Sequence, residues 1–303
     1  MEKRGLLFIF FTAIISGFSI FVNKFGVSEI NPYLFTGLKN IIVAVFLFSI
    51  IFFFKEFKSL KNLNKKQWSK LALIGLVGGS IPFLLFFKGL QLTTAVKGAF
   101  IHKTMFVYVA VLAALFLKER INRNIIIGAI LLLVGNALLL RFVWSGFSIG
   151  DLLVFIATLF WATEIIISKH ALKEIQSNLV AFARMFFGSL FILIFLLATA
   201  QFSLITTITL PQFSWILLTS CFLLLYVFTF YTGLKYIKAT LAASVLLFGQ
   251  IITFFLSYLF LNTEITIIQA LGMLLIIGGI IAIISIKDFI KYFLPWGSKH
   301  GSY

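Results

Sequence analysis

Four charged side chains sit inside stretches that are otherwise apolar: Lys39, Lys103, Glu164 and Arg184. In lipid, each costs at least ~2.5–3.5 kcal/mol on insertion scales, so each needs a partner or a task. Arg184 lies six residues past Asn178, roughly 9 Å along a helix, and Glu164 lies at similar depth on the neighbouring stretch. Two chemistries fit this pair. One is an ion pair, structural or gating. The other makes Glu164 a carboxylate that carries a coupling proton, which an adjacent guanidinium would oppose. Lys39 is shallower and is expected to snorkel to the membrane surface in a structural role, with gating as its functional alternative. Lys103 is too deep to snorkel, and no acidic residue shares its depth. It reads as a cation for an anionic substrate group, or as a lysine that is neutralised or paired elsewhere.

Uncharged groups surround this depth. His102, next to Lys103, is a polar pocket residue or a satisfied packing histidine. Gln250 is a hydrogen-bond partner for substrate or a link between helices. Tyr108, Trp161, Tyr226 and Tyr231 are candidate aromatic walls. Catalysis finds no footing here, since His102, His170 and His300 are dispersed and no HExxH, Asp-rich or phosphate-loop element occurs. No catalytic residue, cofactor or metal is expected. The single cysteine, Cys221, is expected to be a small buried filler.

The elements that must position these residues are membrane spans. The chain is 61% hydrophobic and 11% charged, with a mean hydropathy of +1.13. Soluble domains are nearer ~25% charged, so lipid is the solvent for most of this chain. Ten helical spans can be marked, at about 5–23, 33–54, 71–88, 95–117, 124–141, 149–168, 178–200, 213–234, 239–261 and 266–286. The first reads as a span rather than a cleaved leader, because no small-x-small site ends it. Strand-period alternation is absent, which argues against a barrel. In span 3, Gly75, Gly78, Gly79 and Pro82 predict a kink at a close helix contact, and span 8 has no such cluster.

The chain also repeats itself. At a shift of 145, Gly5 falls on Gly150, Lys24 on Lys169, Glu29 on Glu174 and Lys39 on Arg184. At a shift of 144, Gly89 falls on Gly233, Ala95 on Ala239, Gly128 on Gly272 and Gly135 on Gly279. Ser19 takes the place of Glu164, and Leu247 the place of Lys103. Two five-span repeats are expected, 5–141 and 150–286, followed by a short cytoplasmic tail at 287–303. Five is odd, so the second repeat enters the membrane from the opposite side, as an inverted-topology repeat. With both termini cytoplasmic, Lys and Arg crowd the inner side, led by Lys55, Lys58, Lys61, Lys65, Lys66 and Lys70. The outer side keeps Lys24, Lys88, Lys97 and Arg141. The net charge of +16 is therefore a topology signal with attraction to anionic membrane lipids, and no nucleic-acid partner is expected. The glycine faces at 128/135 and 272/279 suit tight packing or self-association as a homodimer.

This pattern resembles the drug/metabolite transporter superfamily, specifically EamA-type transporters. Leu117-Lys118-Glu119-Arg120-Ile121 resembles the family's Leu-Gly-Glu-Arg-Leu element, and Leu261-Asn262-Thr263-Glu264-Ile265 is its counterpart with one added residue. Phe160-Trp161-Ala162 resembles the Trp-Ala element of the second repeat. Many members carry Pro in the fourth and ninth helices. Phe106 and Gln250 stand there, so this chain is expected to bend elsewhere. The resemblance implies an all-α integral membrane protein of the cytoplasmic membrane. It further implies secondary transport of a small amino acid or carboxylate-bearing solute, by export or exchange. A channel or lipid transporter on the same fold is the alternative, and an intramembrane enzyme a more distant one.

Overall fold

A computed structural model describes residues 2–26, 30–143 and 146–284. Glu29, His300 and the expected tail lie outside them. Every element among the described residues is helical. The helices are α1 (Glu2–Gly26), α2 (Pro32–Phe53), α3 (Phe57–Lys61), α4 (Lys65–Gly79), α5 (Ile81–Gln91), α6 (Ala95–Lys103) and α7 (Met105–Leu117). They continue as α8 (Arg123–Leu139), α9 (Ile149–Ala171), α10 (Ser177–Ala198), α11 (Leu210–Tyr236), α12 (Ala239–Val245), α13 (Phe248–Leu261) and α14 (Ile267–Ile284). Three expected spans are helix pairs: α4–α5, α6–α7 and α12–α13. Nine described stretches are long and apolar enough to cross a membrane, and α8 is a shorter apolar helix of 17 residues. Large apolar side chains such as Phe53, Leu115 and Phe260 face outward, as lipid-facing surfaces require.

The repeats exchange contacts. α1 packs on α11 and α13, while its counterpart α9 packs on α5 and α7. Glycines set the closest approaches. A Cβ added to Gly5 would lie 3.1 Å from the Gly233 carbonyl oxygen, and one on Gly150 would lie 2.7 Å from that of Gly89. α8 and α14 meet through Gly128 against Gly279 and Gly135 against Gly272. There an added Cβ would lie 2.7 to 2.9 Å from the facing carbonyl oxygen. These glycine faces are therefore spent on packing within the chain.

The expected kink in span 3 is a full interruption at Ser80, whose φ −135° and ψ −74° leave the helical region. Its counterpart, α11, runs unbroken for 27 residues. Spans 4 and 9 do not bend elsewhere, contrary to expectation. They break at Thr104 and at Leu246–Leu247, within a few residues of Phe106 and Gln250, without any proline. At Thr104 the N–H reaches the carbonyls of both Phe100 and Ile101, and the hydroxyl donates to the Ile101 carbonyl at 2.6 Å. Back-bonding of this kind bends a helix. At the second break, Gly249 and Gln250 donate three residues back, to Leu246 and Leu247, which tightens the turn.

Two further expectations are corrected. Span 3 begins at Lys65, in a capping box with Asn64 and Gln67, because polar capping extends the helix beyond its apolar part. Cys221 is exposed, on an α11 stripe with Leu218 and Leu225 that faces outward.

Candidate functional site

The break in span 3 generates the site. In an unbroken helix the N–H of residue 82 would bond to the carbonyl of residue 78. Pro82 has no N–H, so that carbonyl is released. The next carbonyl, of Gly79, is released as well, because Phe83 donates to Ser80 instead. Away from water an unmet carbonyl costs several kcal/mol, so donors must come from other helices. Trp161 Nε1 on α9 donates to Gly78 O at 3.1 Å, and Arg184 Nη2 on α10 donates to the same oxygen at 3.0 Å. Asn40 Nδ2 on α2 donates to Gly79 O at 3.0 Å. Four helices thus meet at two carbonyls.

Glu164 lies one turn beyond Trp161 on α9 and is 3% exposed. Its Oε1 accepts from Tyr231 Oη on α11 at 2.6 Å and from Ser168 Oγ at 2.5 Å. Its side chain passes against Gly78, where an added Cβ would lie 2.9 Å from the Glu164 Cδ and closer still to its Cγ. Glycine is required at 78 for this reason. Glu164 and Arg184 both reach Gly78, but among the described residues they do not form the ion pair that was one expectation for them. The Gly78 backbone takes the guanidinium, and two hydroxyls take the carboxylate. Among the described residues, Arg184 keeps a buried Nε with no hydrogen-bond partner.

His102 and Trp161 also meet. Their ring centroids are 4.9 Å apart, and Phe86 lies 5.2 Å from His102 and 5.3 Å from Trp161. Phe83 closes the group, 5.2 Å from Trp161. Lys103, the next residue after His102, is half-buried at the break between α6 and α7. Among the described residues it makes no hydrogen bond or ion pair.

Of the remaining candidates, Tyr108, Gln250 and Lys39 make their contacts elsewhere. Tyr108 Oη lies 3.2 Å from the Thr104 hydroxyl, to which it can donate, and its ring packs edge-on against Phe155. Gln250 donates to Asn136 Oδ1 on α8 at 3.2 Å and so links helices. Tyr226 stacks on Phe230. Lys39 does not snorkel: it is 9% exposed, its Nζ donates to Asn23 at 3.1 Å, and it lies 4.8 Å over the Phe35 ring. A partner inside the bundle outweighs the reach to the surface.

Three further arrangements involve residues outside the expected site. Lys97 forms a buried ion pair with Asp151, which also accepts from the Thr93 hydroxyl and the Ser148 N–H. The Ser148-x-x-Asp151 spacing, a capping box, was the signal for it. Glu119 accepts from the Ala239 and Thr240 N–H groups at 2.7 and 3.2 Å, which caps α12. Lys169 caps the other side of that turn, donating to the carbonyls of Leu234 and Ile237.

The family model described as the EamA-like transporter family matches residues 3–141 and again 148–285. A Bacillus subtilis protein named "Uncharacterized transporter YoaV" is 30% identical, over 91% of this chain and 95% of its own length. Another from the same organism, "Uncharacterized transporter YetK", is 25% identical over 88% and 82%. A solved crystal structure matches with a TM-score of 0.73 at 14% identity, covering 92% of this chain and 96% of that one, a likeness of fold alone.

Proposed function

Because this chain belongs to the EamA-like transporter family, we propose that it carries a small carboxylate-bearing metabolite, such as an amino acid, across the cytoplasmic membrane by alternating access. Both termini lie in the cytoplasm, the two repeats insert with opposite topology, and transport runs as export or exchange. The observation that carries this reading is Lys103. The buried cations have acceptors: Arg184 at Gly78 O, Lys39 at Asn23 and Lys97 at Asp151. Half-buried Lys103 has none within the described residues. It stands at a helix break beside the His102–Trp161–Phe86 group, where an anionic head and an apolar body are both served.

Glu164 is the coupling group in this reading. Hydroxyls serve a carboxylate in both protonation states, since they donate to the anion and accept from the acid by turning the O–H. A direct bond to Arg184 would favour the anion alone.

Counterflow in proteoliposomes against amino acids, organic acids and amines, with and without a pH gradient, tests the function. The expected result is saturable exchange of a carboxylate-bearing solute that Lys103→Ala abolishes while the protein remains inserted. An unaffected Lys103→Ala protein overturns the role of Lys103. Unsaturable flux at high rate overturns the carrier in favour of a channel.

A further inference from the structure

We propose that Pro82 is a positioning residue for the substrate site: by withholding an N–H it leaves the Gly78 carbonyl to hold the Trp161 ring as the apolar wall of the site and Arg184 as a second donor, beside Lys103, for the transported carboxylate. The inference rests on the reading that this region takes substrate, and it assigns a role to a residue that touches neither solute nor charge.

Three observations carry it. First, the released carbonyl has two donors, Trp161 Nε1 at 3.1 Å and Arg184 Nη2 at 3.0 Å, both from the other repeat. One oxygen has two lone pairs, so a restored N–H at position 82 would compete with both. Second, the guanidinium is held but not saturated. Arg184 is 8% exposed and its Nε is buried without a partner, so an acceptor arriving in the site finds an oriented donor. Third, the arrangement occurs in one repeat. At the shift of 144 Pro82 falls on Tyr226, which has an N–H, and α11 is unbroken there. Lys39, in the place of Arg184, donates to Asn23 and not to α11. The proline and the shared carbonyl occur together and are missing together.

The test uses the full chain with Trp68, Trp144, Trp215 and Trp296 replaced by Phe, leaving Trp161 as the one indole. Ultraviolet resonance Raman reads the hydrogen bond of its N–H. Quenching of its fluorescence by benzoate, a carboxylate on an apolar ring, reads binding. Pro82→Ala restores the competing N–H. It is expected to weaken the indole hydrogen-bond signature and to loosen benzoate binding about tenfold, the scale of one charge-assisted hydrogen bond. Arg184→Lys is expected to loosen binding similarly, and to add little on top of Pro82→Ala, because both act through one contact. An unchanged indole signature in Pro82→Ala, or fully additive losses, overturns the proposal and leaves Pro82 as a helix breaker only. Pro82→Gly restores the same N–H and decides the matter if the alanine variant fails to insert. Benzoate that never binds the parent protein counts against the substrate reading, while the Raman signature still decides the role of Pro82.

Discussion

At equivalent depths the two repeats hold Ser19, Asn23 and Lys39 in one and Glu164, Ser168 and Arg184 in the other. In the first repeat the chain closes on itself: Lys39 donates to Asn23, and Asn23 donates to Ser19 Oγ at 3.0 Å. In the second, the cation turns away from its own repeat to Gly78, and the carboxylate is met by Tyr231 and Ser168. One framework thus carries a single cation satisfied within its own repeat at one place and a buried charge network with a spare donor at the other. Duplication preserved the positions, and the proline in span 3 separated their chemistry.

The largest expected effect sets these two places against each other. Arg184→Leu is expected to lower counterflow at least about 100-fold, since it strips an oriented charged donor from the site, whereas Lys39→Leu keeps most of the activity. Equal losses would break the comparison. The ends of the bundle come next. Lys97 and Asp151 correspond to Leu241 and Leu6 in the opposite repeats. Asp151→Asn removes the countercharge of the buried Lys97, which keeps its bond to the Gly146 carbonyl at 2.8 Å, and is expected to cost about 3 kcal/mol, while Leu at both positions restores stability to near the parent value. Thermal unfolding in detergent reads both, and a double variant as unstable as the single one would show that the pair is needed as such.

Smaller effects sharpen the same contrast. Glu119→Ala removes the cap of α12 and is expected to cost about 1 kcal/mol in the same assay. Glu264, its counterpart, is exposed, and Glu264→Ala is expected to change nothing. A contrast of similar size lies in the left-handed residues that end spans 4 and 9. Lys118 has φ 56° and Asn262 has φ 51°. Lys118→Gly is expected to stabilise by about 1 kcal/mol and Asn262→Gly by a few tenths, because asparagine tolerates that region better. Lys118 stands where the resembling element has glycine, and its φ gives the physical reason for that glycine.

Spans and repeat register were legible because lipid demands long apolar runs and duplication leaves a constant shift. The paired glycines were legible as packing sites for the same reason. Partnerships were not legible, since they join residues with no periodic relation. Arg184 finds a carbonyl 106 residues away. The signal was present but negative: proline at 82 announces a free acceptor at 78, without naming its donors. For Lys39 depth alone argues for the surface, whereas Asn23 offers a nearer partner. The breaks at Thr104 and Leu246–Leu247 carry no proline to announce them, and hydroxyl back-bonding and tightened turns serve equally.

The reciprocal contact of Gly128 with Gly279 and of Gly135 with Gly272 has a genetic consequence. Here each glycine is encoded separately, so one base change adds one methyl group to one side of the seam. In a pair of identical half-length chains joined about a two-fold axis, the same change would strike both sides at once. Fusion of the halves thus halves the damage of any single lesion at the seam, and allows one side to drift while the other still holds the helices together.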